Sequence, residues 1–197
     1  MKEFPAYATN FEIFPDNTEA FRYLFPLLKK LTLVDFTFRV EKPSVNQGQM
    51  VSDFDRKLEE SFNTLGAQSY SLRLPKEVPQ EYDFAFEYLG RKVAVEIEKS
   101  NREKILRDIL KCHIYLHSGV DYTLVGLPRN YAHSVGIWDL YDFGVQRLKE
   151  CMNYGFGTPD KMGRILLLGF TQFEATSKER ISVHTRQQMR KKADGSS

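Results

Sequence analysis

The chain has 197 residues, 42% hydrophobic and 13% aromatic, enough apolar surface for one folded core and too much for a disordered segment. Its 28 basic and 26 acidic residues leave a formal charge of only +2, so composition alone does not announce a nucleic-acid partner. No run reaches the roughly 18 apolar residues of a membrane span, and MKEFPAYATNFEIF lacks the apolar core of a secretory signal. Cys112 and Cys151 show no metal-ligand spacing, and the simplest expectation is a cytoplasmic protein with free thiols.

Residues 17–30 predict a first helix, capped by Asp16, Asn17 or Thr18, with Phe21, Leu24, Phe25 and Leu28 at helical spacing. Pro26 within it predicts a kink or a division. Residues 31–40, rich in β-branched and aromatic side chains, predict a strand, and 42–50 a loop. A second helix is expected over 52–65, closed by Gly66, with Phe54, Leu58, Phe62 and Leu65 as its buried stripe and Asp55, Glu59 and Glu60 on or beside its polar face.

Residues 82–101, YDFAFEYLGRKVAVEIEKSN, are the most informative stretch. Val93, Val95 and Ile97 alternate with Ala94, Glu96 and Glu98, and Phe84, Phe86 and Tyr88 alternate with Asp83, Ala85 and Glu87. Folding the two runs about Leu89-Gly90-Arg91 brings Asp83 near Glu96, with alanines leaving room beside them. Carboxylates gathered on one face repel unless a cation lies between them, and a hard, oxygen-seeking ion such as Mg²⁺ suits that place. A hairpin with a merely solvated polar face shows the same alternation.

Further along, Ser100 and Glu103 predict a capping box opening a helix from about 101 to 117, with Ile105, Leu106, Ile109, Leu110, Ile114 and Leu116 as apolar positions. That stripe is wider than one sheet contact needs, which leaves part of it for another subunit. Residues 122–127 predict a buried strand ended by Pro128, 137–153 a helix, and 164–170 a last core strand. A strand, helix and strand in this order predict a parallel unit. A single domain is expected over 1–192, with 193–197 a flexible end.

Asp83, then Glu96-Ile97-Glu98 at a strand end, then a capped helix: this order resembles the PD-(D/E)XK nucleases, in which an Asp and a Glu on a bent hairpin hold the metal. More narrowly, Glu96-Ile97-Glu98-Lys99-Ser100-Asn101 is similar to the BamHI/BglII branch of type II restriction endonucleases. There Glu or Gln replaces the usual lysine of the third position, and Asn or Ser follows. The resemblance covers about residues 80–130. It implies an α/β, restriction-endonuclease-like fold, a mixed central sheet flanked by helices. It also implies a Mg²⁺-dependent homodimer cutting double-stranded DNA at a short palindrome, with GATC-centred targets the first to try.

On this resemblance Asp83 and Glu96 are metal ligands, with Glu60, or Glu59, as a further acid from the preceding helix. Glu98 would orient or deprotonate the attacking water, or bind a second ion. Lys99 points to the opposite strand face unless the strand bulges, and is a lesser catalytic candidate or a phosphate contact. Asn101 stands where BamHI-type enzymes place a base-reading Asn. Ser100 and Arg102 at the helix start and Arg107 one turn on are candidate DNA contacts.

Between Lys178 and Lys192 six basic residues face one acid, which adds Arg190 and Lys191 as candidate phosphate contacts. Lys104 and Lys111 read as ordinary surface lysines. His113 and His117, four apart on a helix, have zinc spacing but no evident third ligand. Neither a P-loop nor a GxGxxG is present, so no nucleotide cofactor is expected. The alternatives are a repair or defence nuclease without strict sequence recognition, a non-catalytic DNA-binding domain, and an unrelated α/β domain whose acidic hairpin is only surface.

Overall fold

The alternation along 84–97 takes shape as an antiparallel hairpin in the computed structural model, which describes residues 3–31, 37–39, 56, 58–74, 82–98, 101–129, 131–133 and 136–172. Strand β4 (Phe84–Tyr88) turns through Leu89 and Gly90 into β5 (Arg91–Ile97), numbering elements in chain order. Both turn residues have positive φ (48° and 78°), the signature of a type I′ turn whose twist matches the flanking strands. Preceding the hairpin are β1 (Glu3–Phe14), α1 (Glu19–Leu31), β2 (Thr37–Arg39), α2 (58–64) and β3 (Gln68–Ser69). After it come α3 (Arg102–His117), β6 (Tyr122–Pro128), β7 (Tyr131–His133), β8 (Gly136–Trp138), α4 (Leu140–Asn153), α5 (Pro159–Met162) and β9 (Ile165–Gln172).

Seven strands form one sheet in the order β2-β1-β9-β6-β5-β4-β3, while β7 and β8 pair separately. β5, β6 and β9 run parallel, as the strand–helix–strand pattern predicts, and the other pairings are antiparallel. The protein is α/β, a mixed sheet flanked by helices.

Each sheet face has its own core. Phe84, Phe86, Val93, Val95 and Ile97 pack with Leu124, Leu166 and Leu168 against Leu24, Leu27 and Leu28 of α1 and Leu58 and Phe62 of α2. On the other face Val125, Leu127, Ile165 and Leu167 meet Ile105, Ile109 and Cys112 of α3 and Leu140 and Leu148 of α4. Burying each such side chain contributes roughly 1.5–3 kcal/mol, and this sandwich fixes which strand face α3 covers. Beside it, Ala85 and Ala94 cluster with Tyr115 and Val120. The alanines predicted to leave room do so for the Tyr115 ring.

Several expectations shift. α1 runs undivided through Pro26, which sits on the exposed side, where a missing backbone hydrogen bond costs least. Its buried stripe is Ala20, Leu24, Leu27, Leu28 and Leu31, and Phe25 is exposed instead. The first strand, β1, was not expected; its polar residues and Pro5 mask a strand that pairs on both sides. The helix expected from 137 starts at Leu140, because Asp139 caps it by accepting from the Asp142 N–H at 2.9 Å, and 137–138 belong to β8. Of the strand expected over 31–40 only 37–39 is described beyond the end of α1, and the loop 42–50, the first residues of the second helix and the chain end 193–197 lie outside the described residues. Among the described residues no helix is long and apolar enough to cross a membrane.

Candidate active site beneath helix α3

The hairpin register sets the site. Phe84 faces Val95, so one step beyond the ladder Asp83 lies across from Glu96. The Asp83 backbone N–H donates to the Val95 carbonyl at 3.2 Å, and its carboxylate accepts from the Ile97 N–H at 2.6 Å. Asp83 thus finishes the ladder with its side chain, which ties its carboxylate to the backbone beside Glu96. A charge-assisted bond of this length is among the stronger kinds. β5 stays in register with parallel β6 as far as the Glu98 N–H, which donates to the Gly126 carbonyl at 3.1 Å.

Glu96 is not on a solvated face. Only 4% of it is exposed, because α3 lies over that side of β5. One oxygen, Oε2, meets the Lys111 ammonium at 2.7 Å, and the other, Oε1, accepts from the Tyr115 hydroxyl at 2.5 Å. Burial nevertheless prevails over both partners and pushes the Glu96 carboxyl up to about 7, with the charge of Asp83 acting in the same direction. The Tyr115 hydroxyl is itself held well above the ordinary tyrosine range, chiefly by burial and then by its bond to Glu96.

A fourth acid joins them. Asp108 of α3 is 3% exposed, and burial followed by the charge of Glu98 raises it to about 6; Lys111, and then Arg107 3.6 Å away, oppose that rise. Glu98, also buried, accepts from the Asn101 N–H at 2.9 Å. Asp83 thus acts electrostatically on both Glu96 and Asp108, and Glu98 acts on Asp108, so four acids share one locality and their repulsion is a cost to the fold.

The sequence did not single out Asp108 and Tyr115, and Lys111 is not the surface residue expected but a buried one, 8% exposed. The signal was in the spacing. Positions 108, 111 and 115 share one side of a helix, next to the apolar stripe Ile105, Ile109, Cys112 and Leu116. Leu106 and Leu110, in the stripe expected to be wider than one sheet contact needs, are the part left uncovered, 41% and 46% exposed.

The remaining candidates spread out. Glu60 is exposed and paired with Arg56 at 2.5 Å, on the helix that covers the opposite face of the sheet; the structure does not bring it to Glu96. Glu59 of the same helix accepts from the Ser69 hydroxyl. The helix cap falls on Asn101, whose Oδ1 accepts from the Glu103 N–H at 2.9 Å, in place of a Ser100 capping box. Capping accounts for Asn101 without a DNA contact.

Arg102 bonds Glu103 and lies 5.4 Å from the centres of both the Trp138 and Phe143 rings, so packing accounts for it as well. Arg107 and Lys104 are exposed. Lys99, Ser100, Arg190 and Lys191 lie outside the described residues. The His113 and His117 rings lie 4.9 Å apart, tilted by 57°, and His117 Nδ1 is 2.6 Å from the Lys161 ammonium, a cation where a zinc site would want a third ligand.

For Mg²⁺ the donors are of the right kind, carboxylate oxygens with backbone carbonyls nearby. They are engaged, however: Asp83 by Ile97, Glu98 by Asn101, and both oxygens of Glu96 by α3. Among the described residues no three His, Cys, Asp or Glu side chains stand ready to hold a metal ion. The place of a cation beside Glu96 is taken by Lys111. Comparison with protein-family models and with curated proteins finds no match to this chain.

Proposed function

We propose that this protein is a Mg²⁺-dependent DNA endonuclease of the PD-(D/E)XK kind, in the BamHI/BglII-like branch, cutting duplex DNA at a short palindrome as a homodimer. One observation carries the proposal: Asp83 and Glu96 lie across from each other at the end of one hairpin, with Glu98 and Asp108 acting on the same locality. Such a cluster costs folding free energy, which is most simply understood if the site exists for a cation and a phosphate. A mixed sheet between helix layers is compatible with that fold.

Asp83 and Glu96 would hold Mg²⁺, which when bound supplies Lewis acidity toward the scissile phosphate and lowers the pKa of water. Glu98, on the same strand face as Glu96, would orient the attacking water. Twofold symmetry of the target favours a twofold protein, and the exposed Leu106 and Leu110 give α3 an apolar side for a partner.

The test is incubation of the purified protein with unmethylated plasmid and phage DNA, in Mg²⁺ and in EDTA. Discrete Mg²⁺-dependent fragments are expected, and Asp83→Asn and Glu96→Gln each should lower the rate by about a hundredfold or more. A smear would shift the assignment to a nuclease without sequence recognition. Duplex binding without cutting would leave a non-catalytic binding domain, and full activity in Glu96→Gln would remove the site from the mechanism.

A further inference from the structure

We propose that Lys111 is a built-in counter-ion, which occupies the cation's place at Glu96 and is displaced when a divalent cation binds. This rests on the reading of Asp83 and Glu96 as metal ligands, and adds to it what the protein does with those charges when no metal is bound. The geometry is specific. Glu96 is almost wholly buried, and its two oxygens are taken by two donors from a single helix, the Lys111 ammonium at 2.7 Å and the Tyr115 hydroxyl at 2.5 Å. A hard cation needs at least one of those oxygens. Tyr115 is the harder to move, since its ring is fully buried among Ala85, Ala94 and Val120. Lys111 is a compact charge on a flexible four-carbon stem, and it can swing away.

It also has somewhere to go. Asp108 lies three residues back on the same helix side, and its charge already interacts with Lys111. A cation arriving at Asp83 and Glu96 repels the ammonium from Glu96, and the charge of Asp108 on the same helix side draws it along its flexible stem, out of the buried pair and within reach of solvent. This gives both Asp108 and Lys111 a purpose that packing does not. A charge pair left in the core for stability alone is poorly rewarded, because desolvation opposes it.

The experiment is a Mn²⁺ titration followed by the electron paramagnetic resonance signal of the free ion, on wild type, Lys111→Met and Glu96→Gln. Removing the internal competitor should tighten Mn²⁺ binding by about tenfold, while Glu96→Gln should abolish it. Equal or weaker binding by Lys111→Met, with Glu96→Gln still abolishing it, would overturn the counter-ion role and leave the metal reading standing. No binding by any of the three would remove the metal reading itself, and the counter-ion role with it.

Lys111→Met leaves a buried carboxylate without its partner and is at risk of not folding, so a second measurement uses wild type only. Acetylation of lysines by acetic anhydride, mapped by mass spectrometry, should rise several-fold at Lys111 when Mn²⁺ is added and stay level at exposed Lys104. Unchanged labelling of Lys111 at saturating Mn²⁺ would overturn the proposal.

Discussion

Asn101 caps α3 through Oδ1, and the resemblance assigns base reading to the same side chain. Serine keeps the cap and cannot offer the amide's paired donor and acceptor to a base edge, whereas alanine loses both. Asn101→Ser should therefore keep the denaturant midpoint close to wild type and relax the cleavage pattern. Asn101→Ala should lose about 1 kcal/mol of stability as well. Chemical denaturation beside fragment mapping separates the two roles; an unchanged pattern in Asn101→Ser would leave capping as the whole of it.

At the scale of elements, what could be read from sequence divides by whether an apolar pattern carried the information. Strands β4 and β5 follow from alternation, helices α1 and α3 from 3.6-residue spacing, and β6 and β9 from short continuous apolar runs; the alternation also made the face shared by Ala94, Glu96 and Glu98 legible. What lies over that face was not. Hydrophobicity ranks Leu106 and Leu110 above Asp108 and Lys111, yet α3 buries the second pair and exposes the first. The helix turns its polar stripe to Glu96 because a buried carboxylate needs hydrogen-bond donors more than the sheet needs two further leucines. A pattern that scores only apolar residues cannot register this. Strand β1 was missed for a related reason, since pairing on both sides, not its composition, makes it a strand.

The approach of α4 to β9 was equally invisible, and it yields a packing prediction. Gly169 lies directly under the Tyr141 ring, where an added Cβ would sit 2.6 Å from Tyr141 Cγ. Tyr141 is 5% exposed, so the ring has little freedom to retreat. Gly169→Ala should destabilise by about 1–3 kcal/mol. Adding Tyr141→Leu should recover part of that loss, and a double-mutant cycle by urea denaturation measures the coupling. Additive losses would mean that the ring does not press on this glycine.

The response of the whole molecule to pH follows from the acids held beneath α3. Glu96 has its folded carboxyl at about 7 against 4.5 for an ordinary Glu, and Asp108 at about 6 against 3.8 for an ordinary Asp. Between the ordinary and raised values the folded protein keeps protons that the unfolded chain has released. The bound-proton difference therefore makes stability fall as pH rises through this window. The ordinary acidic case, a carboxylate depressed by an ion pair, gives the opposite slope.

For Glu96 the penalty above pH 7 is on the order of 3 kcal/mol, set by its shift. Asp108 adds in the same direction. In EDTA, wild type should then melt at a higher temperature at pH 5.5 than at pH 8. Glu96→Gln combined with Asp108→Asn should shrink that difference, because neither amide titrates. Scanning calorimetry of both proteins at the two pH values checks it, using their difference so that every other titrating group cancels. An equal pH dependence in the two would show that these carboxyls titrate alike in the folded and unfolded chains. A steeper fall in the variant would reverse the sign and place the two acids in the stabilising class.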